Sequence, residues 1–326
     1  MTLTQLRYLV AIADSRLNIT QAAERVHATQ PGLSKQLKQL EDELGFQLFT
    51  RRGRSLESIA PAGVRVIEHA RKVLAEVANI RSYAANERGE YSGRLLLATT
   101  HTQARYVLPP AIAAIKREFP QVSVDLRAAS ESDVLGQLDQ ADLALISTTG
   151  SVPQGGMAVP LFRWRRVLLV PDTHPLAGLQ RAPTLAELGR HPLISYESST
   201  RADSSLQRAF AGAGVTPQIA MTARDANLIK TYVRAGLGAG LLAEMAVTHG
   251  EDGDLRIIPA PAEIPECITW AVIPRGRVLR DYALGLLHWL APQLDRRDLR
   301  RVLEGNQDPE WPQPPAWTQL SQSMAV

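Results

Sequence analysis

The chain has 326 residues, with 36 Lys and Arg against 33 Asp and Glu, a formal net charge of +3 and one cysteine. That length exceeds one helical bundle and calls for more than one core. The lone Cys267 excludes an intramolecular disulfide or a multi-thiolate metal site, and is read as a small buried residue of a strand. With no charged-then-apolar leader and no run of about 18 apolar residues, the sequence predicts a cytoplasmic protein without a membrane span.

In chain order, the first element is an amphipathic helix with Leu3, Leu6, Val10 and Ala13 on its inner face. A second helix opens near Asn18 or Thr20 and turns Ile19, Ala22, Ala23 and Val26 inward, the Ala pair allowing a close helix crossing. A third has Thr29 as N-cap, Pro31 in its first turn, Gly45 as its left-handed stop, and Leu33, Leu37, Leu40 and Leu44 as its buried stripe. Its outer face carries Gln30, Ser34, Lys35 and Lys38, side chains suited to base edges and phosphates in a major groove. With Thr20 on the preceding helix, these are the candidate DNA-contacting residues of a helix-turn-helix. Periodicity alone also suits any small helical bundle. The run TRRGRS favours DNA contact, because Arg51, Arg52 and Arg54 flank Gly53 as in the tip of a two-stranded wing that reaches phosphates or the minor groove. Residues 1–88 hold 13 Lys and Arg against 9 Asp and Glu, a modest excess that calls for a dimer to multiply contacts. From Pro61 to Ala84, Ile67, Ala70, Leu74, Val77 and Ala84 form a three-four repeat interrupted by Arg81, which reads as a seam pairing two long helices; the alternative is packing on the helix's own domain.

The stretch NITQAAERVHATQPGLSKQLKQLEDELGFQLFTRRGR, followed by APAG, resembles the winged helix-turn-helix and linker-helix signature of the LysR-type transcriptional regulators across roughly the first 65 residues. Ala60 departs from the Thr usual in that family before Pro-Ala-Gly. The linker helix is therefore expected to lack a side-chain N-cap, at a cost on the order of 1 kcal/mol.

After Gly93, strand-like runs (LLLAT, VSVDLRAA, LALIS, VLLVP, PLISY) alternate with helical ones (PPAIAAIKREFP, ESDVLGQLDQ, TLAELGRH, DSSLQRAFAGAG, DANLIKTYVRAGLG), which predicts open α/β sheets with helices on both faces. The first strand ends in ATTHTQARY, residues 98–106. Thr99, Thr100, Thr102 and Gln103 place hydroxyls and an amide at a strand-to-helix junction where free N–H groups and the helix dipole favour an anion, with no carboxylate nearby to repel it. An ordinary helix cap is the plainer alternative. Ser147 and Thr148 after LALI, and Ser198, Ser199, Thr200 and Arg201 after LISY, are expected at the same edge, lining one polar cleft at the carboxyl ends of the strands. Such a hydroxyl-rich site suits a small oxyanion or an acylated amino acid.

TTHTQARY, the inter-lobe FRW with Trp164, and DANLIKTYVRAGLGAG (Asp225 to Gly240) resemble the CysB branch of the LysR-type regulators, to about residue 300. That resemblance implies a fold of the α/β class: an N-terminal winged helix-turn-helix, a linker helix and a two-lobed effector module resembling periplasmic binding proteins. The implied boundaries are 1–60, 61–90, 91–163 with 268–303 for lobe I, 164–267 for lobe II, and a Pro- and Gln-rich tail over 304–326. The strands crossing between lobes are expected near Pro160–Trp164 and Pro265–Trp270. It implies regulation of sulfur-assimilation and cysteine genes and an effector such as sulfate, O-acetylserine or N-acetylserine. Thr100, Thr102, Gln103 and Trp164 fall on matching pocket positions, while Ser147, Thr148, Thr200 and Arg201 stand where the branch's pattern varies. The implied partners are promoter DNA, further copies of the chain in a homodimer or homotetramer, and RNA polymerase.

No catalytic constellation appears: HExxH and GxSxG are absent, and GLGAG at Gly236–Gly240 follows a helix, not a strand. His101 is read as a packing or hydrogen-bonding residue, and no metal or cofactor is expected. From Gly305 the composition predicts an extended or disordered tail, with Trp311 and Trp317 as candidates to dock. The alternatives are a LysR-type regulator of another pathway sensing a different oxyanion, a solute-binding module that merely dimerises through its N-terminal domain, and an enzyme on the same lobes.

Overall fold

Thr2 opens the first helix with a reciprocal cap: its hydroxyl accepts from the Gln5 N–H while the Gln5 side chain accepts from the Thr2 N–H. The structure, a computed structural model, describes all residues except 54, 249, 306–309 and 325–326, and no side chains at 304, 305, 323 and 324. It comprises two units, Met1–Arg88 and Gly89–Val326.

The first unit runs α1 (Leu3–Asp14), α2 (Ile19–Arg25), α3 (Gln30–Leu44), β1 (Phe49–Arg52), β2 (Ser55–Ile59) and α4 (Pro61–Glu87). The caps of the tri-helical part sit where the sequence puts them. Asn18 accepts from Gln21 N–H, Thr29 accepts from Gly32 N–H, and Gly45 ends α3 at φ +78°. The core is Leu6, Leu9, Ile12, Ala22, Ala23, Leu33, Leu37, Leu40, Leu48, Phe49, Ile67 and Ala70. The inner face of α1 is thus Leu6, Leu9 and Ile12, whereas Leu3 is exposed and Val10 and Ala13 are only partly buried. In a helix this apolar two stripes satisfy a 3.6-residue period, and packing selects between them.

On α4 the N-terminal part of the expected seam packs on its own unit. Ile67 and Ala70 are spent inside the unit's own core and Leu74 packs against it, while Val73, Ile80 and Tyr83 are exposed. Ala60 makes no side-chain cap bond. The tight residue of this junction is Gly63, where a Cβ would lie 2.1 Å from the Leu48 carbonyl oxygen; α4 therefore lies against the backbone entering the wing.

The second unit begins with β3 (Gly93–Thr100), α5 (His101–Tyr106), α6 (Leu108–Glu118), β4 (Val122–Ala129), α7 (Glu131–Val134), β5 (Leu143–Thr148) and β6 (Met157–Trp164). It continues through β7 (Arg166–Pro171), α8 (Leu185–Leu188), β8 (Leu193–Tyr196), α9 (Ser205–Gly212), β9 (Ile219–Ala223), α10 (Ala226–Arg234), β10 (Ala239–Ala243) and β11 (Leu255–Pro259). It closes with β12 (Cys267–Ile273), α11 (Asp281–Leu290), α12 (Arg296–Gly305) and α13 (Trp317–Met324).

Two five-stranded sheets result, ordered β4-β3-β5-β12-β6 and β11-β7-β10-β8-β9. In the first, β4, β3 and β5 are parallel and β12 runs antiparallel between β5 and β6. In the second, β10, β8 and β9 are parallel while β7 and β11 are antiparallel. Helices cover both faces of each sheet, with α6 and α11 over one face of the first and α7 over the other. Trp164 and Cys267 are register partners within the first sheet. The chain therefore changes sheets at Arg165 and again over 260–266, so both stretches expected to cross lie largely inside first-sheet strands.

Of the tail, residues 306–309 and 325–326 lie outside the described residues, and the segment from Glu310 to Met324 packs on the first sheet. The Trp317 ring packs at a tilt against Phe162, centroids 5.0 Å apart, Trp311 Nε1 donates to the Ala158 carbonyl at 2.9 Å, and Leu320 is buried. Its tryptophans supply the apolar area that a Pro- and Gln-rich composition otherwise lacks.

Candidate functional site

In both sheets the carboxyl ends of the parallel strands open on one cavity of about 560 Å³. Thr100, Ala129, Ser147 and Thr148 come from the ends of β3, β4 and β5, and Tyr196, Ala223 and Ala243 from those of β8, β9 and β10. This is where open α/β sheets leave an uncovered crevice.

On the first-sheet side a dense polar knot forms. Gln103 Nε2 lies 3.2 Å from both Ser147 Oγ and Thr269 Oγ1, and Trp164 Nε1 donates to the same two oxygens at 3.3 and 3.0 Å. The two hydroxyls are 3.0 Å apart. Amide and indole donors thus crowd the two hydroxyl oxygens, leaving hydroxyl hydrogens to turn outward, while Gln103 Oε1 is buried without a partner. A guest that offers acceptor oxygens to the hydroxyls and a donor hydrogen to Gln103 Oε1 completes it. Thr102 extends the knot to the other sheet by donating to the Tyr196 hydroxyl at 3.4 Å, which also accepts from Ala243 N–H at 3.3 Å. Burial raises the Tyr196 pKa, so this phenol stays neutral.

Thr100, Thr102, Gln103, Ser147, Thr148, Trp164 and Arg201 all line the cavity. Thr148 already donates to the Ser151 carbonyl at 2.6 Å and accepts from Trp270 Nε1 at 2.9 Å. Thr200 is not among the lining residues; its hydroxyl donates to the Glu197 carbonyl. Two expectations change. Helix α5 is only six residues long and Thr100 makes no cap bond, so side-chain donors, not a helix dipole, dominate the junction. Carboxylates do stand at this cavity: Glu131, Glu197 and Asp203 line it, brought in by the start of α7 and by the segment after β8, both remote in sequence from ATTHTQARY. Arg224 Nε lies 3.0 Å from Glu197, and Arg201 Nη2 lies 2.9 Å from Asp203. The Arg201 guanidinium is therefore engaged within its own loop.

Sequence reading missed Thr269, Tyr196 and Arg166. The first two lack any local motif. Arg166 stood beside Trp164, but a basic residue opening an apolar strand carries no sign of which way it faces.

On the first unit, Thr20, Gln30, Pro31, Lys35, Lys38 and Arg52 are exposed and Ser34 is partly so. Arg51 differs. Its Nη2 pairs with Glu41 Oε2 at 2.8 Å, and the other oxygen of that buried carboxylate accepts from Leu48 N–H at 2.9 Å. Arg51 thereby ties the wing to α3. Arg54 lies outside the described residues.

Comparison with known proteins agrees with this architecture. The family profile for the LysR substrate binding domain matches residues 88–295, and that for the bacterial regulatory helix-turn-helix protein of the lysR family matches residues 3–63. The chain is 36% identical to the HTH-type transcriptional regulator CysB of Burkholderia cenocepacia over 94% of its own length and 98% of that protein. It is 38% identical to CysB of Haemophilus influenzae, covering 91% and 92%. The cofactor-binding domain of the Cbl transcriptional regulator superposes with a TM-score of 0.60 at 33% identity, over 65% of this chain and 94% of that one. A full-length OxyR from Pseudomonas aeruginosa shares the fold, with a TM-score of 0.67 at 24% identity over 91% and 99%. Its two matched modules, in this order and over nearly its whole length, make this chain a member of the LysR family of bacterial transcription regulators, in the CysB branch.

Proposed function

We propose that this regulator controls sulfur-assimilation or cysteine-biosynthesis genes and responds to sulfate or an acetylated serine held in the inter-sheet cavity. The observation that supports the reading is the convergence of amide, indole and hydroxyl groups at Gln103, Ser147, Trp164 and Thr269, which suits a small oxygen-bearing ligand. Thr102, bonded to Tyr196 of the other sheet, links occupancy to the angle between the sheets. A ligand preferring one angle shifts that equilibrium, and by linkage bound DNA alters ligand affinity by the same factor.

In this reading the exposed Gln30, Ser34, Lys35 and Lys38 enter the major groove, with Thr20 and Arg52 on the backbone. A homodimer or homotetramer aligns two or more such units, and RNA polymerase is the downstream partner. The domain limits of the sequence analysis, with residues 1–60 reading DNA and 61–90 joining copies, remain part of the proposal. Sequencing the DNA crosslinked to the protein in sulfur-replete and sulfur-starved cells tests it. Enrichment of cysteine and sulfur-uptake promoters, changing with sulfur supply, is the expected result; sites unrelated to sulfur metabolism overturn it.

A further inference from the structure

The cavity holds a cation for which the polar knot gives no role. Arg166 opens β7 on the second sheet and lines the cavity. Its Nε and Nη1 are buried and make no hydrogen bond. Among the described residues no carboxylate lies within ion-pair distance of it. Glu197 is taken by Arg224 and Asp203 by Arg201. Glu131, the third lining carboxylate, forms no ion pair with Arg166. The two nearby acids that remain are held uncharged by burial: the Cys267 thiol and the Tyr196 phenol both have raised pKa values. The guanidinium lies over the Trp164 ring, Cζ 5.9 Å from its centroid, which offers partial compensation to its face; the Cys267 thiol is a weak neighbour of its edge, and Nε and Nη1 are left without a partner. Arg166 as a residue is partly buried, and taking even part of a guanidinium out of water without a counter-anion is costly.

Resting on the effector reading above, we propose that Arg166 supplies the countercharge for the effector and selects a small organic acid. Its carboxylate docks on the Arg166 N–H edge, while a second oxygen-bearing group sits in the knot of Thr102, Gln103, Ser147 and Thr269. The Trp164 indole separates these two subsites, its face toward the guanidinium and its N–H toward the hydroxyls. Arg166 is thus a specificity residue distinct from the neutral donors that take the other end.

Calorimetry on the full chain with N-acetylserine, its neutral carboxamide and inorganic sulfate tests this, using wild type, Arg166→Gln and Arg166→Lys. Wild type is expected to prefer the acid over the carboxamide by roughly 10- to 100-fold, the worth of one charge-assisted contact. Arg166→Gln abolishes that preference and Arg166→Lys keeps most of it. Without ligand, Arg166→Gln melts no lower than wild type, because it removes a partly buried charge that has no counter-anion. An acid preference that survives in Arg166→Gln overturns the inference, as does a fall in its ligand-free melting temperature, which marks a packing role. Wild type binding sulfate but not N-acetylserine also overturns it while leaving the effector reading intact. Wild type binding none of the three overturns that reading and this one together.

Discussion

The Tyr106 hydroxyl and the Asn227 side-chain amide meet at 2.6 Å, joining α5 beside the first sheet to α10 on the second. With its oxygen turned toward Arg105 Nη1 at 2.8 Å, the amide donates to Tyr106, and both ends of the Asn227 amide are satisfied. Helix α5 also carries Thr102 and Gln103, so one short helix touches the cavity with one side and the other lobe with the next turn. Tyr106→Phe should lower the unfolding free energy of the effector unit by about 0.5–1.5 kcal/mol, read by urea denaturation. An unchanged midpoint would show that the contact contributes nothing to holding the lobes.

Behind Tyr106 lies a buried ion pair. Lys230 Nζ is 2.6 Å from Asp252, both almost fully buried, and Arg234 Nη2 reaches the other carboxylate oxygen at 3.0 Å. Lys230→Met leaves a buried carboxylate short of its main partner and should cost about 3–5 kcal/mol in chemical denaturation. A loss below 1 kcal/mol, on the order of an exposed pair, would show that Arg234 alone suffices.

The same carboxylate sets an acid dependence. Burial pushes the Asp252 pKa up, but hydrogen bonds from Lys230 and the Thr248 N–H outweigh it, and the folded value is lowered. Its contribution is therefore fully present above the unfolded value of about 3.9 and is lost as pH falls through the lower folded value. Melting curves should show Asp252→Asn losing part of the wild-type steepness below about pH 4; identical pH profiles would contradict this.

At the surface, Glu187 is held by Arg181 and by the Thr184 N–H, and its pKa is lowered to about 2. A carboxyl NMR titration should find that midpoint and, in Arg181→Ala, a return toward ordinary glutamate. An unchanged midpoint in the variant would assign the effect to the helix cap instead.

The two described wing arginines should separate by assay. Arg51→Ala strands Glu41 in the core and should destabilise the first unit by about 1–3 kcal/mol. Arg52→Ala and Lys35→Ala should leave stability alone and weaken operator binding, each reducing the salt slope of the affinity by about 0.9 if it neutralises one phosphate. Equal thermal stability of all three variants would refute the tie between Arg51 and α3.

Thr102→Val should weaken effector binding by roughly 10-fold while sparing operator affinity without effector, since it removes a hydroxyl that lines the cavity and its bond to Tyr196. Calorimetry and gel retention read the two halves. Loss of both activities together would mean that the residue serves folding.

The helix-turn-helix was legible because its determinants are local. Asn18, Thr29 and Gly45 act within a turn of themselves, and the Leu33, Leu37 and Leu40 stripe needs only helical periodicity. The α/β alternation was legible for the same reason. Local chemistry could not say which stripe of α1 or α4 is buried, since both helices offer two, nor that the tail tryptophans find β6.

The cavity divides along the same line. Thr100, Thr102 and Gln103 announce themselves as a run of donors at a strand end, which chain order alone determined. Thr269 reaches them from 166 residues beyond Gln103, and Arg166 enters from the opposite sheet, so only tertiary structure could bring them together. Hydrogen-bond satisfaction, charge pairing and burial are properties of atoms gathered from distant segments. A linear pattern names the groups that want partners, and the folded chain decides which of them are left without one.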